Sequence, residues 1–192
     1  VGSGARIYAG AVLGAPGFGH AQDENGAAVR VPHLGGVVVE EGAEVGANTT
    51  VDRATFGETV VGPRARLDNL VQIGHNARVG ADAMVAAQSG LSGSSELGAR
   101  ARMGGQSGVA DHLRVGDGAA VAAKSAVFSD VPEGAVVAGI PARPIALWRR
   151  LVAIEGRLPR LWGRLIRGAG DGGRPGSGGT SGRAHGGEGD DD

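Results

Sequence analysis

The segment Leu67-Asp68-Asn69-Leu70-Val71-Gln72-Ile73-Gly74-His75-Asn76-Ala77-Arg78-Val79-Gly80-Ala81-Asp82-Ala83-Met84-Val85 places an aliphatic residue at every sixth position: Leu67, Ile73, Val79 and Val85. The frame starts at Val61 and runs on without a slip through Leu91, Leu97, Met103, Val109, Val115, Val121 and Val127. The residue after each is mostly small or polar (Gly62, Asp68, Gly74, Gly80), and position five is mostly Ala or Ser (Ala65, Ala77, Ala83, Ser89, Ser95, Ala101). An α-helix would repeat near 3.6 residues and a simple strand near 2, so a strict six fits neither. It fits a coil of three hexads, with one aliphatic side chain turned inward per side and coils stacked about 4.8 Å apart. The expected class is all-β, a left-handed parallel β-helix, whose crossovers are an exception to the usual right-handed rule.

Outward from this core, the same frame holds at Ile7 and Leu13 and at Val39, Val45 and Val51, with two interruptions. Residues 14–37 contain Gly17-Phe18-Gly19 and an Asn25-Gly26 turn signal and predict a protruding hairpin. A shorter insertion falls between Asp52 and Val60. Excursions of this kind decorate the binding face of a solenoid. The repeat is expected over residues 1–132, ending at Pro132. Residues 133–167 then form a connector, Gly139-Ile140-Pro141-Ala142-Arg143-Pro144, and a basic α-helical extension broken at Pro159. Residues 168–192 are Gly, Ser and acidic residues without an apolar period and are expected to be disordered.

Composition agrees with a narrow, turn-rich β architecture: 38 glycines, 3% aromatics and an apolar set of mostly Val, Ala, Leu and Ile in 192 residues. A net charge of −1 gives no global attraction to nucleic acid or membranes. The absence of cysteine removes disulfides, thiolate nucleophiles and Cys-ligated zinc, and suits a reducing compartment. No apolar run approaches the roughly 20 residues of a membrane span, and the start shows no signal-peptide pattern. The chain begins with Val1 and enters the repeat almost at once, so a preceding N-terminal portion is expected.

Two of the five histidines, His75 and His112, lie inside the unbroken repeat and outside its inward frame. His75 stands among Asp68, Asn69, Gln72 and Asn76, and it is either a solvated surface imidazole or a general base. A zinc site of the γ-carbonic-anhydrase kind needs three histidines, and these two are 37 residues apart.

The segments Gly46-Ala47-Asn48-Thr49-Thr50-Val51-Asp52-Arg53 and Asp68 to Asn76, with Gly17-Phe18-Gly19 and Gly139-Ile140-Pro141 followed by Trp148-Arg149, resemble the UDP-3-O-acylglucosamine N-acyltransferases of lipid A biosynthesis. The resemblance runs from about residue 5 to residue 150. It implies transfer of a 3-hydroxyacyl group from acyl carrier protein to the 2-amine of a UDP-linked glucosamine, with His75 as general base. Asp68 would be its acidic partner, and the Gly93 N–H, one coil above, would be the oxyanion donor. His112 would support the substrate, although Asp111 stands before it where the family more often has Gly. Asn69, Gln72 and Phe18 would line the substrate site. No cofactor or metal is implied; a homotrimer in the cytoplasm is, with no membrane span. Arg149, Arg150, Arg157, Arg160, Arg164 and Arg167 offer a basic surface to the acidic carrier protein, or are a solvated helix face. The family's N-terminal uridine-holding domain has no counterpart here, so uridine-binding residues are not assigned. Two other readings stay open: acetyl transfer from acetyl-CoA by a general hexapeptide acetyltransferase, and a non-catalytic trimeric scaffold.

Overall fold

The computed structural model describes residues 1–158 and Trp162. It divides into two units, Val1–Leu151 and Val152–Asp192, and the solenoid belongs to the first. The expected disorder of residues 168–192 lies outside the described residues.

Short strands wind into three parallel sheets. The first contains Arg6–Ile7, Glu44–Val45, Arg66–Leu67, Met84–Val85, Arg102–Met103, Ala120–Val121 and Val136–Ala138. The second contains Val12–Pro16, Thr50–Arg53, Gln72–Ile73, Gly90–Leu91, Gly108–Val109 and Ala126–Val127. The third contains Gly36–Val39, Glu58–Val61, Arg78–Val79, Glu96–Leu97 and Arg114–Val115. Partners across the regular coils are 18 residues apart, as in Ile73 opposite Leu91 and Val79 opposite Leu97. The structure is the expected left-handed parallel β-helix, and all twelve aliphatics from Val61 to Val127 are buried. Ile7, in the first coil, keeps the inward register opposite Val45 but remains 40% exposed.

The corners explain how six-residue sides close into a triangle. Every sixth residue from Arg64 to Lys124 has φ between 55° and 63°, and only Gly118 among them is glycine. A non-glycine residue rarely takes this left-handed conformation. Here each such residue donates its N–H to the coil below, as in Leu70 to Ala47, Ser94 to His75 and His112 to Gly93, so the inter-coil ladder offsets the backbone cost.

The hairpin is present: His20–Gln22 pairs antiparallel with Ala28–Arg30, and the Asp23 carboxylate accepts the N–H groups of Asn25 and Ala27 in the turn. Arg53 ties its root to the solenoid by donating to the Gly14 carbonyl at 2.7 Å. The solenoid also continues past its expected end at Pro132. Val131 bridges to Val115, and Val136–Ala138 still pairs parallel with the first sheet, because a residue before or after a proline can remain extended. Arg143–Pro144 then pairs antiparallel with Val137 and Ala138, and the helix Ile145–Glu155 follows. Gly139, at φ 96°, leaves room for Trp148: a Cβ there would stand 2.6 Å from the indole Cδ1.

Candidate active site

A groove of about 1020 Å³ runs along the outside of the second sheet and its corner with the third. Its floor is made by the outward position of each strand: Gln72, Gly90, Gly108 and Ala126. On the other two sheets the same position carries Val60, Arg66, Arg78, Met84, Glu96, Arg102, Arg114 or Ala120. The two glycines are not forced by the backbone. A Cβ on Gly90 would meet nothing nearer than the Gln72 carbonyl at 3.8 Å, and one on Gly108 nothing within 4 Å. Glycine inside a strand costs roughly 0.5–1 kcal/mol relative to alanine, and what these two gain is an unfilled channel. From Gln72 to Ala126 it spans three strand spacings, about 14 Å.

His75 sits half-buried at the lower end of this groove. Its Nδ1 lies 3.1 Å from Asn76 Oδ1. The amide orientation is fixed by its neighbours, because Asn76 Nδ2 donates to the Phe56 carbonyl and Oδ1 accepts the Thr55 N–H. Oδ1 can therefore only accept from His75, so Nδ1 carries a proton, and in the neutral imidazole Nε2 keeps its lone pair. The insertion between Asp52 and Val60 thus supplies the backbone groups that set the tautomer of His75.

Gly93 lies one coil above. A Cβ on it would stand 2.5 Å from His75 Nε2 and 2.7 Å from Cε1, so the imidazole occupies the space that only glycine leaves. At comparable turns a side chain takes the free amide: Ala87 donates to Asp68, and Ala99 to Asp117. Among the described residues nothing accepts the Gly93 N–H. A base with a free lone pair and an unused backbone donor therefore meet at one end of an apolar channel.

The groove brings together Phe18, Gln72, His75, Gly93 and His112. It does not bring Asp68 and Asn69, which lie away from His75 in the same chain. Seven residues are one hexad plus one, so Asp68 falls at the preceding corner, across the second sheet from His75. There its carboxylate accepts the Asn69 and Ala87 N–H groups, Asn69 Oδ1 accepts the Ala47 N–H, and both residues line a separate groove of about 720 Å³ with Tyr8, Arg66, Met84 and Arg102.

The carboxylate that the fold brings to the lower end of the first groove is Asp52, of the Asn48-to-Arg53 segment. It is 8% exposed and accepts from Gln72 Nε2 at 2.9 Å. Burial pushes its carboxyl above the ordinary 3.8, against the lowering pull of the Gln72 hydrogen bond and of His75 and His33. With the folded-state value raised, ionising Asp52 costs stability, and the cost appears as pH rises through that value and is absent below 3.8. Asp52→Asn is thus expected to raise the Tm at neutral pH and leave it unchanged at low pH. A lower Tm at neutral pH would contradict this assignment.

No family model matches the chain. Curated relatives do. A UDP-3-O-acylglucosamine N-acyltransferase of Desulfotalea psychrophila is 54% identical over 159 residues, 83% of this chain and 46% of that protein. One of Methylacidiphilum infernorum is 54% identical over 158 residues, covering 82% and 45%. The chain is homologous to the UDP-3-O-acylglucosamine N-acyltransferases. It spans about half the length of these N-acyltransferase relatives. Among solved structures, the UDP-N-acetylglucosamine O-acyltransferase of Moraxella catarrhalis superposes with a TM-score of 0.62 at 27% identity, covering 73% of this chain and 52% of that one. The UDP-N-acetylglucosamine acyltransferase of Francisella novicida, at 23% identity and a TM-score of 0.66, shares the fold over 73% of this chain and 50% of its own.

Asn76, Asp52 and the glycine floor were not assigned roles from sequence. The floor had a readable signal: in two successive coils the residue before each inward aliphatic is bulky or charged on two sides and Gly on the third (Arg78, Met84, Gly90; Glu96, Arg102, Gly108).

Proposed function

We propose that this chain carries the acyl-transfer centre of an enzyme that moves a 3-hydroxyacyl group from acyl carrier protein to the 2-amine of UDP-3-O-acylglucosamine. The observation that carries this reading is the free Nε2 of His75 beside the open Gly93 N–H at the foot of the glycine-floored channel. The amine nitrogen attacks the thioester carbonyl carbon while Nε2 takes its proton, forming the C–N bond. The carbonyl oxygen becomes an oxyanion that accepts the Gly93 N–H. Collapse breaks the C–S bond, and the imidazolium returns the proton to the departing sulfur. Asp52 supplies negative charge near the imidazolium, Asn76 holds its Nδ1–H, and the acyl tail lies over Gly90, Gly108 and Ala126.

The working form is a homotrimer, in which threefold symmetry sets the flat faces of neighbouring prisms together. Asp68 and Asn69, remote from His75 in their own chain, then reach the active groove from the adjacent subunit, and His112 and Phe18 contact substrate. Arg149, Arg150 and Arg157 contribute to docking the acidic carrier protein; Arg160, Arg164 and Arg167 lie outside the described residues. The reaction is placed in the cytoplasm, as a step of lipid A biosynthesis. Among the described residues, no helix is long and apolar enough to cross a membrane.

An acetyl group would leave most of the channel empty, which favours the long-chain donor over acetyl-CoA. The full gene product is expected to show a kcat/KM at least roughly tenfold higher with 3-hydroxyacyl carrier protein than with acetyl-CoA. Equal or reversed preference would overturn the reading. Gly108→Leu, whose side chain enters open space, should fold normally and cut kcat/KM for long acyl donors about tenfold while sparing short ones. Loss for both alike would mean that the tail lies elsewhere.

A further inference from the structure

Below His75, in the space between the hairpin and the second sheet, lies His33. It is 8% exposed, and its Nε2 is buried without a hydrogen-bond partner. Such an orphaned group costs stability, a cost that phenylalanine in the same place would avoid. Its Nδ1 lies 3.0 Å from the Val31 carbonyl. A carbonyl only accepts, so Nδ1 carries a proton, and in the neutral ring Nε2 is a bare lone pair.

Both glycines of Gly17-Phe18-Gly19 make way for this ring. A Cβ on Gly19 would stand 2.6 Å from His33 Cε1. The vacant Cβ position of Gly17 lies 2.9 Å from His33 Nε2 and 2.9 Å from His75 Cβ, so His33 Nε2 and the His75 side chain flank the same small gap. The two imidazoles meet edge to face, with centroids 5.1 Å apart and planes at 67°. With Nδ1–H turned to Val31, the negative end of the His33 ring dipole lies at the gap it shares with His75.

We propose that His33 is a positioning residue for His75, a buried neutral imidazole whose fixed dipole stabilises the positive charge that His75 acquires when it takes the substrate proton. The inference rests on the reading of His75 as general base. Preorganised dipoles aimed at developing charge act strongly in a site shielded from water. His33 does not line the groove, so its contribution falls on turnover and not on binding.

The test uses His33→Phe in the full gene product, which keeps a ring in place and removes the dipole. The expected result is a Tm equal to or above that of the parent, a kcat roughly ten- to a hundredfold lower, and KM for both substrates within about twofold. Unchanged kcat in the folded variant would overturn the proposal, as would a loss confined to KM. Independently, ¹⁵N NMR of the unsubstituted protein at neutral pH should show His33 with a protonated Nδ1 and a bare Nε2. An Nε2–H tautomer or a doubly protonated ring would overturn the proposal even if His33→Phe failed to fold. Absence of acyl transfer by the unsubstituted protein would instead reject the catalytic reading of His75, and the NMR result would still decide the His33 tautomer.

Discussion

Replacing His75 by alanine in the full gene product is expected to lower kcat by about 10²- to 10⁴-fold, with KM changed far less. The fold should survive, because His75 is only half-buried at a corner and makes no part of the stack that Ile73, Leu91 and Val109 fill. Its backbone carbonyl, which accepts the Ser94 N–H, is retained by alanine. Asp68→Asn should cost less than His75→Ala, since it leaves the base in place. Near-normal turnover by a correctly assembled His75→Ala protein would move the assignment to His112, which also lines the groove.

Gly93→Ala should be nearly as damaging despite adding one methyl group. That methyl would fall 2.5 Å from Nε2 of His75, and the ring cannot yield without leaving its hydrogen bond to Asn76. Either the imidazole or the Gly93 N–H must shift, and loss of one oxyanion donor alone costs roughly 10²- to 10³-fold in turnover. Circular dichroism and sedimentation should match the parent, since Gly93 does not need a left-handed φ. A Gly93→Ala variant with parental kcat would show that neither the ring position nor this amide matters to catalysis.

The solenoid was legible because its period is written in the inward side chains. Twelve aliphatics six residues apart leave one geometry that buries them all. Its corners were less so: the left-handed turn residues include Arg64, Leu70 and Gln88, which carry no turn signal of their own and are held there by hydrogen bonds to the neighbouring coil. The same distinction governs the site. His75 and Gly93 are one coil apart, and repeat arithmetic placed them together. Asp68, close in sequence, falls at another corner, and the period itself implies this once sides are counted. Asn76 was visible as a neighbour of His75, but its role depends on Thr55 and Phe56, which reach it from an irregular insertion. His33 lay beyond reach for a similar reason. It returns to the base only through the fold of the hairpin, and no periodicity fixes where a hairpin packs.

Whether His75 directs formation of an amide from a carrier-protein thioester is decided by analysis of the product. Full gene product, 3-hydroxyacyl carrier protein and UDP-3-O-acylglucosamine would be incubated, and the sugar product examined by mass spectrometry before and after mild alkali. The expected product carries one added 3-hydroxyacyl group that survives alkali as an amide, formed by the parent and nearly abolished in His75→Ala. An added group released by alkali, or no added group with this donor, would contradict this role of His75.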